Sequence, residues 1–212
     1  MARIKYTNKA GKAVPGVTTV DDQLGWSKFP LMLWANKIGR EGKTIKEASD
    51  PALDIGSCSH LMKQAHLKGQ DPHLVEKDFS KETVDKAHNV FLIFLEWMDQ
   101  HKVEPIAVEE SMVSEELQVG GTPDLVAKID GYISIEDTKS SNDLYPENWI
   151  QVAAYGLIWN ELHPDRSIER YHINRFGKEK PEMEHHMRLD VSYEQEAFRL
   201  LRRLWDLKEK LK

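Results

Sequence analysis

Gly121-Thr122-Pro123-Asp124-Leu125-Val126-Ala127-Lys128-Ile129-Asp130-Gly131-Tyr132-Ile133-Ser134-Ile135-Glu136-Asp137-Thr138-Lys139 is the stretch from which the rest of the chain can be read. Asp130-Gly131 is the dipeptide best suited to a two-residue turn with both central residues at positive φ. With that turn, Ile129 opposes Tyr132, and counting outward pairs Leu125 with Glu136 and Asp124 with Asp137. Directly opposed strand residues hold their Cβ atoms about 5 Å apart, where like charges repel. A divalent cation would reconcile them. Side chains alternate along a strand, so Lys139 shares the face of Asp137, while Glu136 and Thr138 point to the other. Two acids and one ammonium are therefore expected around one point.

Hard cations such as Mg²⁺ take oxygen ligands, and one or two carboxylates together with substrate phosphate oxygens make an adequate set. Such an ion activates water and neutralises charge on a phosphate, and a neighbouring lysine can orient the water or stabilise the charge that grows during attack. The chemistry indicated is metal-assisted phosphodiester hydrolysis. Leu125, Val126, Ile129, Ile133 and Ile135 make both strands largely apolar, as buried central strands are. An exposed hairpin carrying ordinary solvated acids would read as more polar.

Two further spacings flank the hairpin: Gly56 to His60 as Gly-x-x-x-His upstream, and Gln151 to Tyr155 as Gln-x-x-x-Tyr downstream. Together with Gly121-Thr122-Pro123-Asp124 and Asp137-Thr138-Lys139, they resemble the PD-(D/E)XK nuclease superfamily, and within it the RecB-type nuclease domains. That group includes phage-encoded exonucleases and the mitochondrial genome maintenance exonuclease. The resemblance runs from about Val14 through Tyr155. It implies an α/β fold with a restriction-endonuclease-like core, a mixed central sheet flanked by helices. It also implies a Mg²⁺- or Mn²⁺-dependent site in which His60, Asp124 and Asp137 hold the metal and Lys139 positions the attacking water or stabilises the transition state. Gln151 and Tyr155 would support the substrate, and an acid on the preceding strand would join the site. That strand is read from Pro105 to Val113. Glu109 and Glu110 are adjacent and must face opposite sides, and comparison with the family favours Glu109.

Asp50 and Pro51 predict the start of a helix that carries His60 and stops near Gly69. From the residues alone His60 is an ordinary helical histidine; the family spacing distinguishes it, whereas His66 has no such support. The helix bearing Gln151 is predicted from Tyr145-Pro146-Glu147 to just before His163-Pro164. Val152, Ala153, Leu157 and Ile158 would pack on the sheet, with Gln151 and Tyr155 bordering that face. The remaining expectations are a hairpin from Ile4 to Val14, helices from Pro30 to Ile38 and from a Ser80 cap to His101, and strands at 122–129 and 132–139. Strands Tyr171 to Phe176 and Glu182 to Arg188 would be joined through Gly177-Lys178. A last helix would open with a Ser192/Gln195 capping box and turn Phe198, Leu201, Leu204, Trp205 and Leu211 inward.

The 212 residues suit a single nuclease domain spanning the whole chain. One cysteine, Cys58, excludes an internal disulfide and the four-cysteine iron-sulfur cluster of some relatives of the family. Neither a long apolar span nor the apolar core of a secretory signal is present, so no membrane is expected and a cytoplasmic setting, bacterial or phage-infected, is. The net charge of −6 disfavours bulk attraction to nucleic acid, although part of the acid excess belongs to a site that would carry a cation. Local basic clusters offset it: Lys37, Arg40, Lys43 and Lys46, and on the last helix Arg199, Arg202, Arg203, Lys208, Lys210 and Lys212. Trp34, Trp149 and Tyr145 are either core residues or stacking surfaces for single-stranded bases. The expected function is a DNA exonuclease of replication, recombination or repair, acting on DNA that is single-stranded or has a free end. Replication or recombination proteins are its possible partners. An endonuclease on the same site and a noncatalytic DNA-binding recombination accessory protein are the alternatives.

Overall fold

The computed structural model describes residues 5–141, 143–177 and 183–211. In chain order its elements are β1 (Tyr6–Thr7), β2 (Ala13–Val14), α1 (Val17–Asp21), α2 (Lys28–Arg40), α3 (Ile45–Leu67), a 3₁₀ helix (Pro72–Asp78) and α4 (Lys81–Gln100). Then follow β3 (Val103–Val108), β4 (Met112–Ser114), β5 (Val119–Gly121), β6 (Leu125–Ile129), β7 (Tyr132–Ser140), α5 (Pro146–Leu162), β8 (Arg170–Phe176), β9 (Met183–Arg188) and α6 (Ser192–Lys210). Ile4, Lys178, Glu182 and Lys212 lie outside the described residues. Contacts gather into two compact units, one of residues 1–24, 101–175 and 184–212, the other of residues 25–100 and 176–183.

The first unit is built on the five-stranded mixed sheet, in the order β3-β6-β7-β8-β9. At its centre the β6–β7 hairpin has the expected register, Leu125 opposite Glu136 through Ile129 opposite Tyr132. Asp130 and Gly131 adopt φ values of 51° and 92°, as a turn with two left-handed residues requires. The strand read from Pro105 to Val113 is in fact two. β3 shifts register between Pro105 and Ala107, where proline has no N–H to give the ladder. It ends at Val108, and Glu109 turns the chain in the left-handed region, φ 51°, so that β4 pairs with β5 in a separate two-stranded sheet. The strand expected from Thr122 likewise begins only at Leu125, after Pro123.

α5 is buried nearly all round, from Trp149 through Trp159, rather than on one packed face, and it lies among α1, α6, β4 and β7. A helix apolar on every side belongs in the core. α6 opens without the expected capping box: Ser192 N donates to Asp190 Oδ1 at 2.9 Å, and Gln195 reaches instead to the Tyr171 hydroxyl at 3.2 Å. Phe198 and Leu201 are buried, whereas Leu204 and Leu211 are exposed.

In the second unit, α3 packs on α4 and on the 3₁₀ helix around Cys58, Met62, Ala87, Phe91, Phe94 and Trp97. α3 starts earlier than Asp50. Thr44 and Glu47 form a complete capping box, which sets the start at Ile45 and leaves Pro51 inside the helix. The helix ends as expected, at a left-handed Gly69. Ser80 Oγ accepts from Thr83 N at 3.2 Å, the cap expected for α4. Among the described residues, no helix is long and apolar enough to cross a membrane.

Histidines gather at the turn end of the sheet. His172 on β8 and His185 on β9 stack at 5.2 Å and share a 2.9 Å hydrogen bond between Nδ1 and Nε2, while His101 meets His185 edge-on and contacts Asp130 at 2.7 Å. Burial, reinforced by His185, His101 and Arg170 and opposed by Asp130, pushes His172 down to about 3. The unfolded chain binds this proton near pH 6.5, so the stability tied to neutral His172 is complete above that value and is lost as pH falls, by about 2 kcal/mol at pH 5. Urea unfolding at pH 7.5 and 5 should therefore show a smaller acid loss for His172→Gln than for the wild type. Equal losses would mean that His172 protonates freely within the fold.

Candidate active site

The hairpin ladder stops at Leu125 and Glu136, one step short of the two acids. Asp124 lies just outside β6, and its Oδ2 accepts from Thr138 N at 2.8 Å, so this carboxylate caps the edge of β7 while facing the next acid along. The loop before it is tied down on both sides, because Thr122 Oγ1 lies 3.0 Å from both the Tyr6 hydroxyl and Ser111 Oγ. Asp137 is buried, and Lys139 Nζ comes within 2.5 Å of its Oδ2. That contact is close but poorly directed, and the oxygen has no well-formed hydrogen bond. Burial pushes Asp137 up to about 6; Lys139 opposes the shift, and Asp124 and Glu136 add to it. For Lys139, burial lowers the value, but Asp137 and Asp124 outweigh it and hold the ammonium protonated.

The alternation along β7 is as expected. Glu136 points away from Asp137, fully buried, with its Oε1 accepting from Thr138 Oγ1 at 2.9 Å and Asn174 Nδ2 at 3.0 Å. On the site face, Lys139 Nζ donates to Gln151 Oε1 at 2.6 Å, and Gln151 Nε2 donates to the Tyr155 hydroxyl at 2.8 Å. The Gln-x-x-x-Tyr spacing thus stacks one turn of α5 into a brace that ends on the lysine. Burial holds the Tyr155 phenol well above its usual range. Glu109 sits at the break after β3, where its N donates to Asp124 O at 3.1 Å, and a carboxylate oxygen of each lies within 4.8 Å of the other. His60 lies half-buried on α3, in the second unit.

An oxygen-rich set of two buried, mutually repelling carboxylates, one with an oxygen lacking a directed donor, fits a hard divalent cation. Asp21, on α1, is a buried acid near the site lysine that the sequence reading missed. It is 8% exposed and neither carboxylate oxygen has a hydrogen bond. Burial first, then Asp22, pushes it up to about 8 against the pull of Lys139, so at neutral pH it is largely a neutral acid close to the site lysine. The available signal was an acid set within the apolar run Val17, Val20, Leu24. Trp149 belongs to the core, with the Arg188 guanidinium 4.2 Å over its ring; Tyr145 is exposed and Trp34 half-buried.

Gly121 makes the brace possible, since a Cβ there would lie 2.7 Å from the Tyr155 ring. Gly121→Ala should displace Tyr155, cost about 1–3 kcal/mol by overpacking, and loosen Lys139. Nuclear magnetic resonance of a ¹⁵N-labelled Gln151 amide would report it, and an unmoved signal would count against the brace.

The PD-(D/E)XK nuclease superfamily profile matches residues 35–212, a span that holds every predicted site residue and leaves Asp21 outside. Among solved structures, the chain is similar to a provisionally assigned exonuclease from Eubacterium rectale, with 16% identity and a TM-score of 0.45 over 72% of this chain and 64% of that one. It therefore spans less than two thirds of that structure. It is also similar to SSO0001, with 8% identity and a TM-score of 0.37 over 69% of this chain and 71% of that one. No curated protein matches the chain. With the profile spanning most of the sequence and the paired acids and lysine in place on the central hairpin, the chain belongs to the PD-(D/E)XK nuclease superfamily.

Proposed function

We propose that this protein is a divalent-metal-dependent deoxyribonuclease acting from DNA ends, an exonuclease of phage or bacterial DNA replication, recombination or repair, working in the cytoplasm as one nuclease domain over residues 1–212. The observation that carries the reading is the buried Asp137–Lys139 contact beside Asp124, with the lysine braced by Gln151. Asp124 and Asp137, with Glu109 beside Asp124, would hold Mg²⁺ or Mn²⁺, which when bound supplies Lewis acidity toward the scissile phosphate. His60 is proposed as a further ligand on its Gly-x-x-x-His spacing alone.

The chain's own contribution follows from the charges. Lys139 stays protonated, so it serves as a fixed positive donor toward a phosphate rather than as a base. Its second partner, Gln151 Oε1, keeps the ammonium in place when Asp137 turns to another charge. Tyr155 fixes the Gln151 amide in turn. Oriented groups of this kind cost no rearrangement at the moment of reaction.

The test is to incubate end-labelled linear and closed circular DNA, single- and double-stranded, with Mg²⁺, Mn²⁺ or chelator. Loss of linear DNA only, and only with metal, is expected. Cutting of closed circles would establish an endonuclease on the same site, and no cutting at all a binding protein that keeps the fold. His60→Ala should weaken metal binding or cleavage far more than His66→Ala. Equal, small effects would reduce His60 to a packing residue.

A further inference from the structure

The second unit contains a side-chain cluster for which phosphodiester hydrolysis has no use. His73 and Glu76 stand on the 3₁₀ helix and His88 on α4. One carboxylate oxygen, Glu76 Oε1, meets both rings, His73 Nδ1 at 2.5 Å and His88 Nε2 at 2.8 Å. The two imidazoles stack at 5.2 Å with 29° between their planes. One ligand atom from each of the three residues lies within 4.8 Å of the other two. The backbone fixes this placement: Asp71 Oδ1 caps the 3₁₀ helix at His73 N, 2.9 Å away, with Pro72 in its first turn.

A neutral imidazole has a single N–H. For both rings to bond to one acceptor, each must direct its proton at Glu76, so three ligand atoms converge with protons between them where a cation could sit instead. Two imidazole nitrogens and a carboxylate suit zinc and similar borderline metals, whereas magnesium prefers an all-oxygen set. Cys58 is not part of the set. Its thiol is not among the three ligand atoms that lie within 4.8 Å of one another. Zinc ligands about 2.0–2.1 Å from a tetrahedral centre stand about 3.3 Å apart, so the two short contacts need open by less than about 1 Å. The side chains are 63%, 33% and 30% exposed, which lets solvent metal in and lets them turn.

We propose that His73, Glu76 and His88 form a zinc-binding site with a fourth position left to water, clipping the 3₁₀ helix to α4. The site is independent of the nuclease reading, because it shares no residue with the paired acids and its test measures zinc rather than cleavage.

The test is calorimetric titration of the full chain with zinc chloride in millimolar Mg²⁺. One equivalent is expected to bind and to raise the melting temperature. Replacing even an outer-shell partner of a metal typically costs 10–100-fold in affinity, so losing a ligand in His73→Ala or His88→Ala should cost at least about 100-fold. The Asp124→Asn, Asp137→Asn double variant should bind zinc like the wild type. Cobalt(II) bound to the wild type should show ligand-field absorption that is absent in His88→Ala. The proposal is overturned if the wild type takes up no zinc, if cobalt gives no such bands, if both histidine variants bind zinc as well as the wild type, or if binding is lost in the double variant.

Discussion

Asp137→Asn is expected to abolish metal-dependent cleavage and, in chelator at neutral pH, to give a more stable protein than the wild type. The sign follows from burial. The carboxyl is raised from 3.8 to about 6 in the fold, so its contribution to stability is complete below the lower value and disappears as pH rises through the higher one. Above that, the wild type holds an ionised group that the unfolded chain would solvate more cheaply, at a cost on the order of a few kcal/mol. Asparagine removes the charge and keeps an oxygen facing Lys139. Denaturant unfolding in chelator at pH 5 and 8 should show the variant gaining most on the wild type at the higher pH. Adding Mg²⁺ should stabilise the wild type and leave the variant nearly unchanged. A variant that keeps wild-type metal affinity, or that is less stable throughout, would remove Asp137 from the site.

Lys139→Ala should lower single-turnover cleavage by ~10²-fold or more, the usual cost of losing one group that stabilises growing charge, while metal and DNA still bind. Asp137 then loses the ammonium that competes with a cation for its Oδ2. Glu136→Ala should behave oppositely. It removes the buried acceptor of Thr138 and Asn174, and leaving such partners unmatched costs about 1–3 kcal/mol, yet the folded fraction should cleave at the normal rate. Cleavage of a bound oligonucleotide in saturating Mg²⁺, set against binding of the same oligonucleotide in Ca²⁺, separates the two. A dead but stable Glu136→Ala would mean that the faces of β7 are assigned the wrong way round.

The centre of the fold was legible because it rests on local rules. Asp130-Gly131 allows one kind of turn, and the period of two then fixes every partner to Glu136 and the face of Lys139. Gln151 and Tyr155 share a helix face by spacing alone. What could not be read depended on competition between local signals or on distant packing. Thr44 with Glu47 satisfies two backbone donors and so prevails over Asp50-Pro51 as the start of α3. The left-handed turn at Glu109 breaks what reads as one apolar run, and no glycine marks it. Asp21 is distant in sequence from everything that gives it meaning. Its position beside Lys139 exists only after α1 has packed against α5.

The amide of Gln151 has one acceptor and one donor side, and both are spoken for: the oxygen by Lys139, the nitrogen by Tyr155. It therefore passes position from the core to the site without passing charge. Tyr155 is held well above its usual range and keeps its proton, so the brace behaves as an insulated strut. A glutamate of nearly the same shape at this position would set a full negative charge beside the ammonium and short-circuit that insulation. Drift in the apolar interior can thus retune where the lysine stands while its electrical balance stays untouched.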